Sequence, residues 1–254
     1  MSKNCKFRVA CIQMTTGTKI SENLSVLETR LYEAKEKGAD FIVTPEQTLL
    51  MAKNRDSLFE NISHEDRDFG LRELKGIIKK LGLFVIIGSI SIKYNEDLAL
   101  NRTYAFNPNG DIIGFYDKIH MFDVNLSDGE KYYESKIYKP GTKLSLVSLP
   151  WCDVGLTICY DLRFPELYRK LAQKGASVII VPSAFTVTTG KAHWHTLLRA
   201  RAIETGCFIM APAQVGKHEN GRISYGCTMI VSPWGEIISE IPDQESVALA
   251  DIDI

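Results

Sequence analysis

The chain has 254 residues, of which 45% are hydrophobic and 24% are charged, as is typical of a globular protein with room for a substantial core. Thirty basic and 31 acidic side chains leave a formal net charge of -1, so the composition favours neither nucleic acid nor an anionic membrane as a partner. The N-terminal "MSKNCKFRVACIQM" has only a short apolar run, broken by Gln13, which is far below the length of a signal peptide or a membrane span. We therefore expect a cytoplasmic protein.

The N-terminal part alternates strand and helix patterns. Residues 7–14 form a short apolar run that is typical of a buried strand. Apolar residues recur at helical spacing over residues 20–40, with Ser21 as the expected N-cap and Gly38 as the helix stop. Residues 41–46, "FIVTPE", predict a second buried strand that ends in a carboxylate. A strand, a helix and a strand in this order indicate a parallel arrangement.

The next part of the chain predicts a helix, several strands and a long loop. Residues 65–81 have a polar helical pattern, and residues 83–93, "LFVIIGSISIK", predict a pair of strands. Residues 102–120 predict a hairpin that turns at positions 108–110. Residues 121–142 are polar and aromatic and predict a surface loop of a length often found at functional sites.

The second half of the chain again mixes strands and helices. The predicted elements are strands over 143–149 and 152–158, a helix over 164–176, a strand over 177–185, a helix over 193–206, and strands over 207–214, 225–233, 236–241 and 247–254. Pro165 stands at the favoured first turn of the first of these helices. Since no low-complexity linker or short-period repeat divides the chain, we expect one α/β domain over residues 1–254.

The cysteines and histidines do not have the spacing of a metal site. Six cysteines stand at positions 5, 11, 152, 159, 207 and 227, without a CxxC pair and at a density far below that of a disulfide scaffold. His193 and His195 lie two residues apart on a predicted helix, so their side chains point in different directions. The sequence therefore predicts reduced thiols and no zinc.

Three reactive side chains fall at predicted strand ends, which is where ligands bind in open α/β sheets. Glu46 closes "FIVTPE", Lys118 closes "DIIGFYDK" and Cys159 closes "VGLTIC". Each residue also has an ordinary structural explanation, because Glu and Lys are common in solvated loops and Cys is common in cores.

Together, the three residues suit nucleophilic catalysis. A catalytic thiol needs a base or a positive environment, and Glu46 would be that base. Lys118 and the amide that follows Cys159 would stabilise the charge that builds on a carbonyl oxygen during attack. The sequence leaves the pKa of Glu46 open, since burial would raise it and Lys118 would lower it.

Three segments resemble the signature blocks of the nitrilase, or carbon-nitrogen hydrolase, superfamily. They are "TPEQ" at 44–47, "DKIHMFD" at 117–123 and "TICYDLRFPELYR" at 157–169, and they occur in the right order. The likeness covers nearly the whole chain. The segments "PSAFTVTTGKAHWHTLLRARAIETGCFIMAPAQ" and "YGCTMIVSPWGEI" point to the Nit branch, whose better-known members act on deaminated glutathione.

The resemblance implies a four-layer α-β-β-α sandwich that commonly forms a homodimer and uses no metal or organic cofactor. It implies Glu46 as the general base, Lys118 as the stabiliser of the tetrahedral intermediate and Cys159 as the acylated nucleophile. A second glutamate matches Glu134 in "YYES", although Glu130 lies in the same predicted loop.

The implied reaction is hydrolysis of a small carboxylated amide through a thioester. Arg163 and Thr186 are the candidates for binding the substrate, with Arg163 alternatively holding its loop through Asp161, and Tyr160 would contribute its amide. His120 resembles a residue that orients the loop more than the base of a Cys-His pair. Many relatives have a histidine or a similar residue after "YG", where this chain has Cys227.

Other functions stay open at this point. An ω-amidase or an N-carbamoyl hydrolase would use the same three residues. A different cysteine hydrolase with an Asp-Lys-Cys set would need an aspartate at the first strand end, where this chain has Glu46. A non-catalytic module that binds a partner protein or a small ligand on this fold would not require all three residues at the strand ends.

Overall fold

Two packed β-sheets form the centre of the fold in the computed structural model, which describes residues 6–125, 129 and 131–254. With strands numbered along the chain, the first sheet of the described part contains, in spatial order, β16 (Ser246–Asp253), β1 (Lys6–Gln13), β2 (Phe41–Val43), β3 (Phe84–Lys93), β4 (Ala99–Phe106) and β5 (Ile112–Asp117). The second contains β15 (Ile237–Ile241), β14 (Thr228–Val231), β11 (Phe208–Ala211), β10 (Ala176–Ile180), β9 (Asp153–Leu156) and β8 (Leu146–Ser148).

Helices cover the outer faces of the sheets, and short hairpins lie in the loops. The helices of the described residues are α1 (Ile20–Glu36), α2 (Arg55–Asn61), α3 (Phe69–Leu81), α4 (Pro165–Gln173) and α5 (Val187–Thr205). The short hairpins pair β6 (Asp123–Asn125) with β7 (Lys131–Tyr133), and β12 (Val215–Lys217) with β13 (Ile223–Tyr225). Single 3-10 turns span Glu134–Lys136 and Cys159–Arg163. Within these described residues, no helix is both long and apolar enough to cross a bilayer.

The alternation of side chains along the strands produces the layers. In β1, Val9 and Cys11 belong to the apolar cluster that also contains the second sheet, whereas Ala10 and Ile12 belong to the cluster under α1 and α3. Successive side chains of a strand point to opposite faces, so a strand that is apolar throughout is buried on both. Helices α4 and α5 contact β10 and β11 on the other side. This arrangement confirms the predicted four-layer α-β-β-α sandwich.

Both sheets contain a parallel core whose carboxyl ends position the site. Strands β1, β2 and β3 are parallel, as are β9, β10 and β11. Strand β4 is antiparallel to both β3 and β5, so β5 has the same direction as β2. The segments that follow β2 and β5 therefore leave the sheet at the same end.

The predicted strand pair over 83–93 is wrong, because β3 is one continuous strand. Its Gly88 resembles a turn residue in the sequence, but it lies at a register shift against β4 and passes close to the segment after β2. A Cβ at Gly88 would collide with the Thr44 carbonyl oxygen, and the Gly88 N–H donates to Thr44 Oγ1 at 2.9 Å. The glycine permits the close approach of two strands.

Several predicted element boundaries also differ. Helix α1 begins before Ser21, with Lys19 as an N-cap that makes no side-chain hydrogen bond. Asp68 caps α3 by accepting from the Leu71 N–H at 2.8 Å, so the helix predicted over 65–81 begins four residues later, at Phe69. Helix α5 begins six residues before the predicted position because Thr186 is its N-cap. The predicted loop over 121–142 contains the β6–β7 hairpin.

Candidate active site

The structure brings Glu46, Lys118 and Cys159 together at one cavity. Glu46 follows the end of β2, Lys118 follows β5 directly, and Cys159 begins the 3-10 turn after β9. The Lys118 ammonium nitrogen lies 2.9 Å from Glu46 Oε1. The Cys159 thiol interacts with both the Glu46 carboxylate and the Lys118 ammonium. All three side chains are buried.

The backbone at Cys159 makes a sharp turn. Its φ of 50° lies in the left-handed region, which a residue with a side chain adopts at an energetic cost of order 1–3 kcal/mol. The Cys159 N–H donates to the Pro182 carbonyl at 2.9 Å, which fixes this turn to the segment after β10. Among the described residues, no acceptor is bonded to the next amide, that of Tyr160. A thiol and a free N–H donor are thus presented side by side at the cavity.

Glu46 is held at both carboxylate oxygens. Oε1 accepts from Lys118 Nζ at 2.9 Å and from Asn101 Nδ2 at 3.0 Å. Oε2 accepts from the Ala184 N–H at 3.0 Å, and the Glu46 carbonyl accepts from Gln214 Nε2 at 2.9 Å. Donors from both sheets therefore fix the orientation of this carboxylate, as a general base requires.

Glu134 shares the lysine with Glu46. Lys118 Nζ lies 2.9 and 2.8 Å from the two carboxylate oxygens of Glu134, and the Phe122 N–H donates to Oε2 at 2.7 Å. The other candidate for the second glutamate, Glu130, lies outside the described residues. The ammonium is thus fixed between two carboxylates.

The protonation states follow from this arrangement. Burial raises the pKa of Glu46, but the charge of Lys118 and the hydrogen bonds of Cys159 and Lys118 outweigh it, so the pKa lies below its ordinary value. Burial disfavours the charged form of Lys118, but Glu134 and Glu46 outweigh it and hold the lysine pKa well above the ordinary value. At neutral pH the site contains an ionised Glu46 and a protonated Lys118.

The thiol behaves differently. Burial, followed by the charge of Glu46, raises the pKa of Cys159 well above that of a free cysteine, and Lys118 offsets this only in part. The resting thiol is therefore neutral and lies next to an ionised carboxylate. This pair can transfer a proton at the moment when the sulfur attacks a carbonyl carbon.

The cavity has a volume of about 330 Å³ and a strongly cationic wall. Its described cationic residues besides Lys118 are Lys53, Arg55, Lys131, Arg163 and Arg222. Of these five, only Arg55 has an ion pair with a carboxylate among the described residues, at 3.4 Å from Asp97. The acidic residues of the wall that the structure describes are Glu46 and Glu134, and both already contact Lys118. The wall therefore favours a small anionic molecule.

The predicted substrate-binding residues all line this cavity. The Arg163 guanidinium lies 3.2 Å from His193 Nδ1 and 5.6 Å from the centre of the Tyr160 ring. Thr186 is the N-cap of α5, and its hydroxyl is 2.9 Å from that of Thr189.

The alternative role of Arg163, in which it holds its loop through Asp161, does not agree with the structure. The Asp161 carboxylate instead accepts from the Tyr116 hydroxyl at 2.8 Å and from the Ile158 N–H at 2.9 Å. It also lies 2.7 Å from His120 Nδ1. These bonds tie the loop after β5 to the turn at Cys159, which is the orienting role expected for His120.

Sequence patterns did not reveal several residues of the site. Asn101 lies within β4 and bridges the two glutamates, and Arg222 lies in the β12–β13 loop and donates to the Ala184 carbonyl. No motif marks either residue. Cys227 is not among the described residues that line the cavity.

Comparisons with known proteins agree with this geometry. A family model described as carbon-nitrogen hydrolase matches residues 8–254, so the chain belongs to the carbon-nitrogen hydrolase family. The chain is 39% identical over 241 residues to the deaminated glutathione amidase of Yersinia enterocolitica, covering 94% of this chain and 84% of that protein. It is 32% identical over 249 residues to omega-amidase NIT2 of Danio rerio, covering 98% and 89%.

Solved structures show the same fold. The C. elegans NitFhit protein superposes with a TM-score of 0.90 at 31% identity; the match covers 100% of this chain and 62% of that one, so this chain spans less than two thirds of NitFhit. Saccharomyces cerevisiae Nit3, a member of branch 10 of the nitrilase superfamily, gives a TM-score of 0.87 at 26% identity, covering 98% and 90%.

Proposed function

We propose that this chain is an amidase that hydrolyses a small carboxylated amide through a thioester on Cys159, with deaminated glutathione as the first candidate substrate. The observation that carries the proposal is the contact among Glu46, Lys118 and Cys159 at the base of a cation-lined cavity. Packing alone does not account for a buried carboxylate, a buried ammonium and a thiol at one point, because burying charged groups costs free energy.

The first half of the reaction forms the acyl-enzyme. Glu46 takes the thiol proton as Cys159 Sγ attacks the amide carbonyl carbon, and the carbonyl oxygen becomes negative. Lys118 and the Tyr160 N–H stabilise this oxyanion. Protonated Glu46 then gives its proton to the amide nitrogen, the C–N bond breaks, and an amine or ammonia leaves.

The second half releases the acid. A water molecule attacks the thioester while Glu46 takes its proton, and the C–S bond breaks. The sulfur regains a proton from Glu46, and the carboxylic acid leaves. Glu134 contributes by holding Lys118 protonated and in place, as its two short contacts to the ammonium indicate.

The cavity supports an anionic substrate of modest size. Its volume of about 330 Å³ lies at the lower end of the usual range for small-molecule sites, about 300–1,000 Å³. Deaminated glutathione has a carboxylate at each end and two amide bonds between them. Arg163 would bind a carboxylate, and Thr186 would add a hydroxyl to the same wall.

A substrate panel tests the proposal. We expect release of a primary amine from deaminated glutathione, and a transient mass increase on Cys159 that equals the acyl group. Cys159→Ala should lose both signals, while Cys152→Ala, which changes a thiol outside the cavity, should keep them. Turnover by Cys159→Ala at the rate of the parent protein would refute the thioester mechanism.

The second candidate is an ω-amidase, favoured by the 32% identity to omega-amidase NIT2 of Danio rerio. Both activities would use the same residues and differ in the leaving group, which is ammonia for an ω-amide. Comparing kcat/KM for deaminated glutathione and for ω-amides of small dicarboxylates, with ammonia release measured for the latter, separates the two.

We further propose that residues 1–254 form a single catalytic domain that assembles as a homodimer in the cytoplasm. The eight-residue pairing of β1 with β16 supports one unit, because it joins the two ends of the described chain. The exposed Trp234 in the β14–β15 turn and the exposed Ile203 of α5, whose side chain lies beside Gly235 of that turn, support an interface. A reducing compartment would keep Cys159 as a free thiol. Light scattering of the parent protein and of Trp234→Glu tests the dimer.

A further inference from the structure

Outside the cavity, three side chains of the type that bind metals meet at one point. They are His195 on α5, Cys227 before β14 and Glu240 in β15. Their ligand atoms all lie within 4.8 Å of one another, and His195 Nε2 is 2.7 Å from Glu240 Oε1. No other group of this kind exists among the residues that the structure describes.

The backbone fixes this cluster from two sides. Cys227 has a φ of 60°, and its N–H donates to the Pro242 carbonyl at 2.8 Å. The Cys227 carbonyl accepts from the indole N–H of Trp194, the residue before His195, also at 2.8 Å. The two neighbouring ligands are therefore linked through a buried indole, and the thiol has little freedom to turn away.

The donor atoms and their spacing suit zinc. One imidazole nitrogen, one thiolate and one carboxylate oxygen are the ligand types that tetrahedral Zn²⁺ takes from proteins. Zinc bonds of about 2.0–2.3 Å at tetrahedral angles place ligand atoms roughly 3.3–3.6 Å apart. The His195–Glu240 pair would have to open by less than 1 Å, and the larger separations would have to close by roughly 1 Å.

We propose that His195, Cys227 and Glu240 form a Zn²⁺ site with three protein ligands and a water molecule at the fourth position. On binding, the Cys227 thiol gives its proton to solvent and a Zn–S bond forms. Glu240 exchanges its hydrogen bond with His195 for a Zn–O bond. The Nε2 proton of His195 leaves to solvent while Nδ1 takes up a proton, so the ring stays neutral and binds zinc through Nε2. The resulting site has no net charge.

The charges of the three side chains are complementary to a divalent cation, because Cys227 and Glu240 can each supply one negative charge and their ligand atoms lie within 4.8 Å of each other. A thiolate next to a carboxylate is unfavourable until a cation joins them. The ordinary alternative is a His-Glu ion pair beside a neutral thiol, which would have no particular affinity for zinc.

The site also contacts the wall of the catalytic cavity. The His195 and Tyr225 rings have centres 6.3 Å apart, and the Tyr225 N–H donates to the Phe185 carbonyl at 2.9 Å. Phe185 lines the cavity. Zinc would therefore join α5 to the β14–β15 hairpin close to the substrate wall, and the proposal does not depend on which amide is hydrolysed.

Zinc and cobalt titrations test the proposal in a Cys159→Ala background, where the catalytic thiol cannot bind metal. We expect one Zn²⁺ per chain by calorimetry. Bound Co²⁺ should give the intense visible bands of tetrahedral coordination and a thiolate-to-cobalt charge-transfer band. Adding Cys227→Ala or His195→Gln should weaken binding by more than the roughly 10–100-fold cost of losing an outer partner of a metal ligand.

Controls keep each outcome decisive. Cys152→Ala in the same background should bind both metals unchanged. Cys227→Ser removes the sulfur with less change in volume, should Cys227→Ala fail to fold by circular dichroism. Absence of saturable binding would overturn the proposal, as would binding that survives both the His195 and the Cys227 substitutions. If the Cys227 substitution abolished metal binding while the His195 substitution left it unchanged, the metal would be held by a lone thiol, and this result would overturn the proposal as well.

Discussion

Asn101 provides the most direct test of how the carboxylates of Glu46 and Glu134 are positioned. Its Nδ2 donates to Glu46 Oε1 at 3.0 Å and to Glu134 Oε1 at 3.3 Å. Its Oδ1 is buried and has no hydrogen-bond partner among the described residues. Asn101→Ala therefore removes two bonds to charged groups and also one buried acceptor that is not satisfied.

The two effects differ in size for activity and for stability. A hydrogen bond to a charged group contributes about 1.5–3 kcal/mol, and the shorter bond to Glu46 should dominate. Since each 1.36 kcal/mol is a factor of ten in rate, kcat/KM should fall about 10- to 100-fold. Removing an unsatisfied buried acceptor offsets about 1–3 kcal/mol of the folding cost, so the free energy of unfolding should change little.

The pH profile of kcat/KM separates positioning from a general structural effect. The Asn101 N–H stabilises the ionised form of Glu46, so Asn101→Ala should raise the Glu46 pKa and move the acid limb upward by about one pH unit. Asn109→Ala, in the exposed β4–β5 turn, is the matched control and should leave the profile unchanged. An Asn101→Ala enzyme with an unmoved acid limb and a rate within about twofold of the parent would refute this reasoning.

Three further predictions follow from the site and its supports. Gly88→Ala should lower activity, and should lower the free energy of unfolding measured in urea by about 1–3 kcal/mol, because its Cβ would collide with the Thr44 carbonyl. An unaltered midpoint of urea unfolding would contradict the close approach. Iodoacetamide should alkylate Cys159 more slowly than free cysteine near neutral pH, because burial and Glu46 raise the thiol pKa. The alkylation rate should keep rising over roughly pH 7–10, and a rate that is constant near neutral pH would contradict the raised pKa. Arg102→Ala should lower the free energy of unfolding, measured by heat or urea, by about 2–3 kcal/mol, since Arg102 donates to both carboxylate oxygens of the partly exposed Asp117 at 2.6 and 2.8 Å. A decrease below about 0.5 kcal/mol would show that solvent screens this ion pair.

The core strands and the three strand-end residues could be predicted because both depend on local patterns. Short apolar runs rich in β-branched residues predict buried strands wherever they occur, and a strand end is visible where such a run stops. The prediction over 83–93 was wrong for the same reason. A glycine inside an apolar run can mark a turn, whereas here Gly88 permits contact with Thr44, more than 40 positions away.

The remaining parts of the site depend on sheet order and on loops, which sequence patterns do not encode. Asn101 reaches both glutamates because β4 lies between β3 and β5, and the Ala184 amide reaches Glu46 from the other sheet. The proximity of His195, Cys227 and Glu240 arises in the same way, from three elements whose residues have no common spacing. Such contacts require the three-dimensional arrangement.

The charges of the cavity divide into two zones, and this division bears on how an amide would be oriented. At the base, Glu46 and Glu134 share the single ammonium of Lys118, which leaves one excess negative charge beside the neutral thiol of Cys159. The other described charges of the wall are cationic. The carboxylate of a carboxylated amide would therefore be repelled by the bottom of the cavity and attracted by the rest of the wall. This carboxylate should bind away from Cys159, and the uncharged amide should enter the bottom of the cavity. The same electrostatics keeps Glu46 ionised and able to accept a proton, so binding orientation and proton transfer depend on one arrangement of charges.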